Sequence, residues 1–433
     1  MSNVRVRIAP SPTGRAHIAT ARAALFNYIF AKQHKGSFLL RVEDTDRARS
    51  KKEYEQDIVD QLSWLGLLWD ADPYRQSDRM ELYAKRAEEL KKKGAAYEKD
   101  GALYFRVDPK GPDVVFTDLI KGEVRFPRKE LPDFVIVRKD GIPVYHFAAV
   151  VDDIEMKISH VLRGEDHLSN TPKHILLFKA LGAKLPQFGH FPIILGPDGG
   201  KLSKRHGSVS IHDYRAQGYL PEAIVNFVAL LGWSPGEEEV IDVGKMIELF
   251  RLEAVSHHPA IFDKTKLDYL NGWYIRHLTL GELAERIWEW ARYVGKEPPK
   301  KDEHLLNVVA TVQERLKRLD EFEALTAFYF AEPKYKVDLL VFQKSDREKT
   351  KNGLGKALES LESVETWSRD DIQAALEAVV KANTLGNGDV FWLVRVAATG
   401  LEASPPPVDV LVVLGREKSL ERIEKAIALL ANQ

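Results

Sequence analysis

The sequence contains no cysteine, so disulfides and thiolate metal sites are excluded. It has no apolar run approaching the ~20 residues that cross a bilayer, and its first residues lack the hydrophobic core of a signal peptide. The expectation is a cytoplasmic protein with no membrane partner. Low-complexity tracts and internal repeats are absent. An excess of charge is also absent, with 63 Lys and Arg against 64 Asp and Glu and a net charge of -1. No global positive field gathers nucleic acid, so an RNA partner has to be held by local basic patches.

What is present is organised around residues 5–27, RVRIAPSPTGRAHIATARAALFN. Val4, Val6 and Ile8 alternate with Arg5 and Arg7, the period-2 pattern of a strand with one buried face. Pro10, Pro12 and Gly14 end it, with Gly14 free to take a positive φ. Residues 19–30 follow as a helix with Ala23, Phe26, Asn27 and Phe30 on one stripe. A loop feeding a helix N-terminus aims backbone N–H groups and the positive dipole end at whatever lies above the strand. That makes an anion site, with His17 and Arg15 beside it. The same stretch also reads as an ordinary βα turn with a solvent histidine.

A second stretch, PDGGKLSKRHG at 197–207, is a basic run in a glycine frame. It reads as a solvated charge run, a localisation signal, or two lysines, Lys201 and Lys204, flanking Ser203 to clamp a polyphosphate. Residues 37–42 form a short apolar strand that delivers Glu43, Asp44 and Asp46 at its carboxyl end, where open α/β sheets bind ligands. Ser50 and Glu53 suit the start of a helix over 51–65, so these carboxylates serve either a site or a cap.

At 433 residues the chain exceeds one core, and two to four domains are expected. Residues 80–93 read as an amphipathic helix closed by Gly94. Short β-like runs at 102–107, 114–119, 123–126 and 134–138 make a small α+β insertion. Residues 144–151 and 158–162 read as strands, 171–181 as a helix with Pro172 in its first turn, and 191–195 as a strand. This βαβ rhythm predicts a doubly wound α/β domain of Rossmann type, split by the insertion. Residues 221–231, 244–250 and 264–274 read as helices, and from about 279 nearly everything does: 280–294, 303–322, 345–364, 370–382, 390–399 and 418–431.

The two leading stretches resemble the signatures of class I aminoacyl-tRNA synthetases. With RVEDTDRAR, YRQSDR, YHFAAVVDD, HVLRGEDHLSNTP, GYLPEAIVNFVALLGW, FDKTKLDYLNGWYI and TGLEASPPPVDVLVVLG in order, the chain resembles the bacterial-type glutamyl-tRNA synthetases along its whole length. The resemblance implies a Rossmann catalytic domain over 1–94 and 141–184, with an acceptor-stem insertion over 95–140. It implies a stem-contact region carrying the KLSKR loop over 185–282 and an all-helical anticodon-binding region over 283–433. Many relatives hold a cysteine-rich zinc site in the insertion; without cysteine no zinc is expected here. A helical rather than β-barrel tail favours the glutamyl over the glutaminyl branch.

The implied reaction joins L-glutamate to the 3'-terminal adenosine of tRNA-Glu through a glutamyl-adenylate, with ATP and Mg²⁺ as cofactors. The implied catalytic residues are His17, Lys201 and Lys204. The implied ATP contacts are Pro10, Gly14, His17, Ala19, Thr20, Asp166, Ile194, Lys201, Ser203 and Lys204. Arg7, Ala9, Ser11, Tyr145 and Arg163 match contacts to glutamate, and Glu43 matches the partner of its amino group. No metal is expected on protein side chains alone, and a monomer is the family expectation. The family signature has glycine where Ala19 stands, so a methyl group projects where adenine lies close. Arg125, Arg128 and Lys129 are candidates for the acceptor stem; Arg315, Lys317 and Arg318, on one predicted helix, are candidates for the anticodon arm. Two other readings are a glutamate transferase acting on a tRNA base or non-standard acceptor and a non-catalytic RNA-binding paralogue. Charging of tRNA-Gln as well as tRNA-Glu is left open.

Overall fold

In the computed structural model the described residues are 4–203, 205, 210–343, 345–383 and 385–431; Lys204 lies outside them. The chain divides into two compact units, Met1–Arg215 with Tyr219–Asn271, and Ala216–Gly218 with Gly272–Gln433.

The first unit starts with β1 (Arg5–Ile8), α1 (Ile18–Gln33) and β2 (Ser37–Val42). β1 and β2 pair in parallel from Arg5↔Ser37 to Ile8↔Leu40. Both faces of β1 are covered, and Arg7 is only 4% exposed rather than solvated. Helix α1 is buried on most sides, including Ala21, Ala24, Leu25, Ile29 and Ala31, so the single stripe expected for it is not found. Its Phe26 packs edge-on against Phe191, 5.1 Å between centroids. Gly14 does not adopt a left-handed φ; an added Cβ there would meet open space. The turn before β2 does need its glycine, since a Cβ on Gly36 would lie 2.2 Å from the Val4 carbonyl oxygen.

α2 (Lys52–Trp64) follows Lys51 without a side-chain cap; the expected cap Ser50 gives its N–H to the Asp46 carbonyl at 2.8 Å, and its hydroxyl makes no hydrogen bond among the described residues. β3 (Tyr74–Arg75) extends the sheet beside β2. α3 (Met80–Lys92) ends before Gly94, which has the left-handed φ expected, +71°. β4 (Ala96–Lys99), β5 (Ala102–Phe105), β6 (Val114–Asp118), β7 (Gly122–Phe126) and β8 (Phe134–Val137) follow. β4, β5 and β8 form an antiparallel sheet of their own, whereas β6 and β7 form a hairpin that joins the next sheet.

Residues 144–151 are not a strand. They begin α4 (Tyr145–Glu155), whose residues Phe147 to Asp153 are all buried. Full burial erases the amphipathic period that would have announced a helix. β9 (His160–Gly164), α5 (Thr171–Ala180) and β10 (Gln187–Phe191) complete the sheet in the order β7-β6-β10-β9, with β9 and β10 parallel. Ser159 donates its N–H to the Arg5 carbonyl at 2.9 Å, which brings the start of β9 beside β1. The run 191–195 is thus the end of β10 and a separate short strand, β11 (Ile194–Leu195). α6 (Ile211–Ala216), α7 (Pro221–Leu230), α8 (Val243–Leu249), β12 (Ala260–Ile261, paired with β11) and α9 (Lys264–His277) follow.

The second unit is helical: α10 (Leu280–Tyr293), α11 (Glu303–Val312), α12 (Glu321–Phe330), α13 (Arg347–Glu362), α14 (Arg369–Ala382), α15 (Leu393–Thr399), α16 (Pro407–Leu414) and α17 (Arg416–Ala431). The helix expected over 303–322 breaks into α11 and α12. Arg315, Lys317 and Arg318 therefore stand on the connection, with Arg318 paired to Asp320 at 3.0 Å. A π-helical turn, Gly388–Trp392, leads into α15. Among the described residues no helix is long and apolar enough to cross a membrane.

Candidate active site

The N-terminus of α1 is built by His17. Its backbone is extended, with φ -93° and ψ 159°, and its side chain accepts the N–H of Ala19 at 3.3 Å on Nδ1. An Nδ1 that accepts carries no proton, so the proton sits on Nε2. Burial, and then the charge of Lys201, hold the His17 pKa below its usual value and favour the neutral ring. The result is a neutral N–H donor at the positive end of a helix.

His17 lines a cavity of about 290 Å³ together with Ala19, Asp166, Ile194 and Lys201, all expected near the nucleotide. Its walls come from the ends of three strands: His17 follows β1, Gly164 ends β9 with Glu165 and Asp166 after it, and Phe191 ends β10 with Pro192 and Ile193 after it. Phe191, Pro192, Ile193 and Leu202 give it an apolar side that suits an aromatic base. Pro10, Gly14, Thr20 and Ser203 do not line it. The Pro10 carbonyl instead accepts the N–H of Glu43 at 3.0 Å, tying the loop after β1 to the end of β2.

Arg22, absent from the sequence expectation, is buried in the same wall. It donates to the carbonyls of Leu231, at 3.0 Å, and of Pro192, bracing two chain segments behind the cavity. Burial lowers its pKa to about 10 against the opposing charges of Glu165 and Asp166. Glu165 accepts the Ile193 N–H at 2.8 Å and pairs with Lys121.

Beside this cavity lies a buried network of charges. Asp153, near the end of α4, accepts from Arg7 Nε at 3.0 Å and from Arg41 Nη1 at 2.6 Å. Arg41 Nη2 reaches Glu43 Oε1 at 2.9 Å. The neighbouring Asp152 accepts from Gln76 and Arg79, each at 2.9 Å, and from the Tyr83 hydroxyl. Burial pushes Asp153 up, but Arg7 and Arg41 outweigh it and hold the carboxyl below its usual range. Glu43 is raised by burial despite Arg41. Of these residues the sequence points only to Arg7 and Glu43 as site candidates. The Asp152-Asp153 pair closing an apolar helix is the signal that could have found the rest, since buried acids require cations.

Arg163, at the end of β9, is different. It is 7% exposed, yet no carboxylate lies within ion-pair distance among the described residues. Its Nε donates to His190 Nε2 at 3.2 Å, Nη1 to the Tyr145 hydroxyl at 3.2 Å, and Nη2 to Thr171 Oγ1 at 2.9 Å. Four histidines lie around it, and all are held below the usual imidazole value. Burial brings His146 and His167 to about 4; burial and then Arg163 hold His174 well down; burial also lowers His190, against its bond to Asp118. Burial pushes Tyr145 up to about 12, and Arg163, Glu43 and Arg7 all act on it, which places these four expected residues in one region. Ala9 is half-buried at the end of β1; Ser11 is exposed, and its carbonyl accepts the Thr13 N–H.

Residues 3–102 and 98–269 match the family "tRNA synthetases class I (E and Q), catalytic domain", and residues 282–427 match "Anticodon binding domain". The chain is 40% identical over 474 residues to glutamate–tRNA ligase 2 of Thermoanaerobacter pseudethanolicus, covering 99% of this chain and 98% of the relative. It is 39% identical over 471 residues to glutamate–tRNA ligase 1 of Caldanaerobacter subterraneus, covering 99% and 98%. The crystal structure of a glutamate tRNA ligase from Elizabethkingia meningosepticum in complex with its amino acid superposes with a TM-score of 0.87 at 29% identity, covering 99% of both chains. The βαβ catalytic unit, the helical second unit and these matches together show that the chain belongs to the glutamate–tRNA ligases of the class I aminoacyl-tRNA synthetases.

Proposed function

We propose that glutamate is activated and transferred in two steps at the site built by α1, β9 and β10. The α-carboxylate of glutamate attacks the α-phosphate of ATP, releasing pyrophosphate and leaving glutamyl-adenylate. The terminal ribose hydroxyl of tRNA-Glu then takes the glutamyl group. The first step needs no side-chain nucleophile; it needs two anions aligned and the triphosphate charge spread. His17 Nε2–H, the free N–H groups of α1 and Lys201 are the donors for the phosphates, with Mg²⁺ arriving on the nucleotide. The apolar wall from Phe191 to Ile193 takes the base, and Lys204 completes the phosphate clamp.

Glutamate's side-chain carboxylate is assigned to Arg163 and its amino group to the side of Glu43. What supports this is a buried guanidinium whose direct hydrogen-bond partners His190, Tyr145 and Thr171 are uncharged, while Asp153 and Glu43 act on it only from beyond ion-pair distance. Burial lowers the pKa of this guanidinium, an incoming carboxylate offsets that cost, and its planar fork fits two oxygens. Glutamine would turn an N–H donor toward a group with no acceptor, leaving buried polar atoms unpaired. For the RNA, we assign an anticodon base to a cavity of about 690 Å³ in the second unit, lined by Asn307, Thr311, Glu314, Arg315 and the Arg369–Asp409 pair.

The test is charging of tRNA-Glu and tRNA-Gln transcripts with radiolabelled glutamate, ATP and Mg²⁺. Arg163→Ala is expected to raise the glutamate KM at least about tenfold, the loss of one charge-assisted contact, with the fold intact. An unchanged KM removes Arg163 from the substrate site.

A further inference from the structure

Asp118 is the last residue of β6, a strand of the segment that precedes α4 by some distance in sequence but joins β10 in the sheet. It is buried, and so is His190 on β10. Asp118 Oδ1 accepts the N–H groups of Ile120 at 3.0 Å, Lys121 at 2.9 Å and His190 at 3.2 Å. Its Oδ2 faces His190 Nδ1 at 2.5 Å. A carboxylate tied by so many donors has no proton to give. The proton between the two side chains therefore belongs to Nδ1, and Nε2 is left as a bare acceptor. That acceptor meets Arg163 Nε–H at 3.2 Å and the Thr171 hydroxyl at 3.1 Å. In the opposite tautomer Nε2–H would point at Arg163 Nε–H, donor against donor.

We propose that Asp118 and His190 are a positioning pair for the glutamate site: Asp118 fixes the Nδ1–H tautomer of His190, and Nε2 of that ring holds the plane of Arg163 for the substrate carboxylate. The proposal rests on the assignment of glutamate to Arg163. The device orients a buried guanidinium without discharging it. A carboxylate in direct contact would neutralise Arg163, as Asp153 does Arg7. Here the negative charge stands behind an imidazole ring, and what reaches Arg163 is a neutral lone pair. Thr171 Oγ1 and the Tyr145 hydroxyl hold the other two nitrogens in the same neutral manner.

Asp118→Asn keeps the shape and the backbone bonds but turns an amide N–H toward His190 and drives the tautomer over. It is expected to raise the glutamate KM about tenfold while the ATP KM stays within about twofold. His190→Gln can present its amide oxygen to Arg163 whatever residue 118 carries, so the double variant is expected to be no worse than His190→Gln alone. An unchanged glutamate KM in Asp118→Asn, an equal rise in the ATP KM, or additive effects in the double variant overturn the pairing. Because either variant can fail to fold, the tautomer is also read on the unsubstituted protein by ¹⁵N NMR of labelled histidines. Protonated Nδ1 at His190 supports the proposal and protonated Nε2 overturns it. Arg163→Ala run in parallel separates the two assignments. If it leaves the glutamate KM unchanged, the substrate assignment falls and takes the functional role of the pair with it. If it raises the KM while Asp118→Asn does not, the pair alone is overturned.

Discussion

His17 Nδ1 accepts the backbone N–H of Ala19, 3.3 Å away. One ring thus does two separable things: Nδ1 caps α1, and Nε2 presents a donor to the cavity. Asparagine is among the best N-caps but places no donor where Nε2 stands. His17→Asn is expected to keep the melting temperature while lowering kcat by about 10²-fold, as for loss of a preorganised donor. His17→Ala is expected to lose both, with about 1 kcal/mol of stability gone with the cap. Calorimetry beside charging kinetics decides; a kcat for His17→Asn equal to the unsubstituted protein's would take the ring away from the chemistry.

Asp153 is the shared acceptor of Arg7 and Arg41. Removing it leaves two guanidinium groups buried with the balance of the cluster broken. Asp153→Ala is expected to cost about 3–5 kcal/mol, the usual result of stripping one partner from a buried pair. Urea denaturation followed by tryptophan fluorescence reads this directly. A loss under about 1 kcal/mol would mean that water or Glu43 takes over both arginines.

The network explains how far the sequence could be read. β1 is legible because Val4, Val6 and Ile8 alternate and Pro10 and Pro12 end it, and β2 because its apolar run is short; the helix between them is legible from its good helix formers, not from a stripe. Arg7 was singled out, but its environment was not: an arginine on an alternating strand looks the same whether it meets water or Asp153. Residues 144–151 read as a strand because Val144, Tyr145, Phe147, Val150 and Val151 carry strand-like chemistry, while the fold buries most of α4. Asp118 and His190 were invisible for another reason. They lie 72 positions apart and meet only because β6 pairs with β10.

The histidines around Arg163, His174 and His190 buried and His146 and His167 half-buried, set an acid limit. His146 and His167 are brought to about 4, and His174 and His190 are also lowered, burial being the largest cause for each. Between their folded values and the ordinary value near 6.5, the unfolded chain binds protons that the folded chain refuses. Their contribution is therefore complete above about pH 6.5 and is lost as pH falls from there toward 4, at most about 1.4 kcal/mol per pH unit for each of the buried His174 and His190 and less for the half-buried His146 and His167, where water screens the charge. The urea midpoint is expected to be level from pH 8 to 7 and to fall steadily below 6.5. A level profile down to pH 5 would contradict neutral histidines around Arg163.

The break between α11 and α12 has a cause that no local sequence signal carries. Leu316 and Leu319 continue the apolar period of α11, and no glycine or proline interrupts it. The chain turns because Leu319 donates its N–H to the Gly218 carbonyl at 3.0 Å and Glu321 Oε2 accepts the N–H of Lys317 at 2.8 Å. Gly218 has φ +79°, and a Cβ on it would lie 2.6 Å from the nitrogens of Leu319 and Asp320. Gly295, after α10, has φ +74° but open space around an added Cβ. Both pay the left-handed backbone cost of about 1 kcal/mol when changed to alanine. Only Gly218→Ala must also push two backbone segments apart, which adds about 1–3 kcal/mol. Gly218→Ala is therefore expected to be the more destabilising by at least about 1 kcal/mol in parallel urea titrations. Equal losses would mean that Gly218 is needed for its φ alone, and that the turn at Leu319 tolerates a side chain against it.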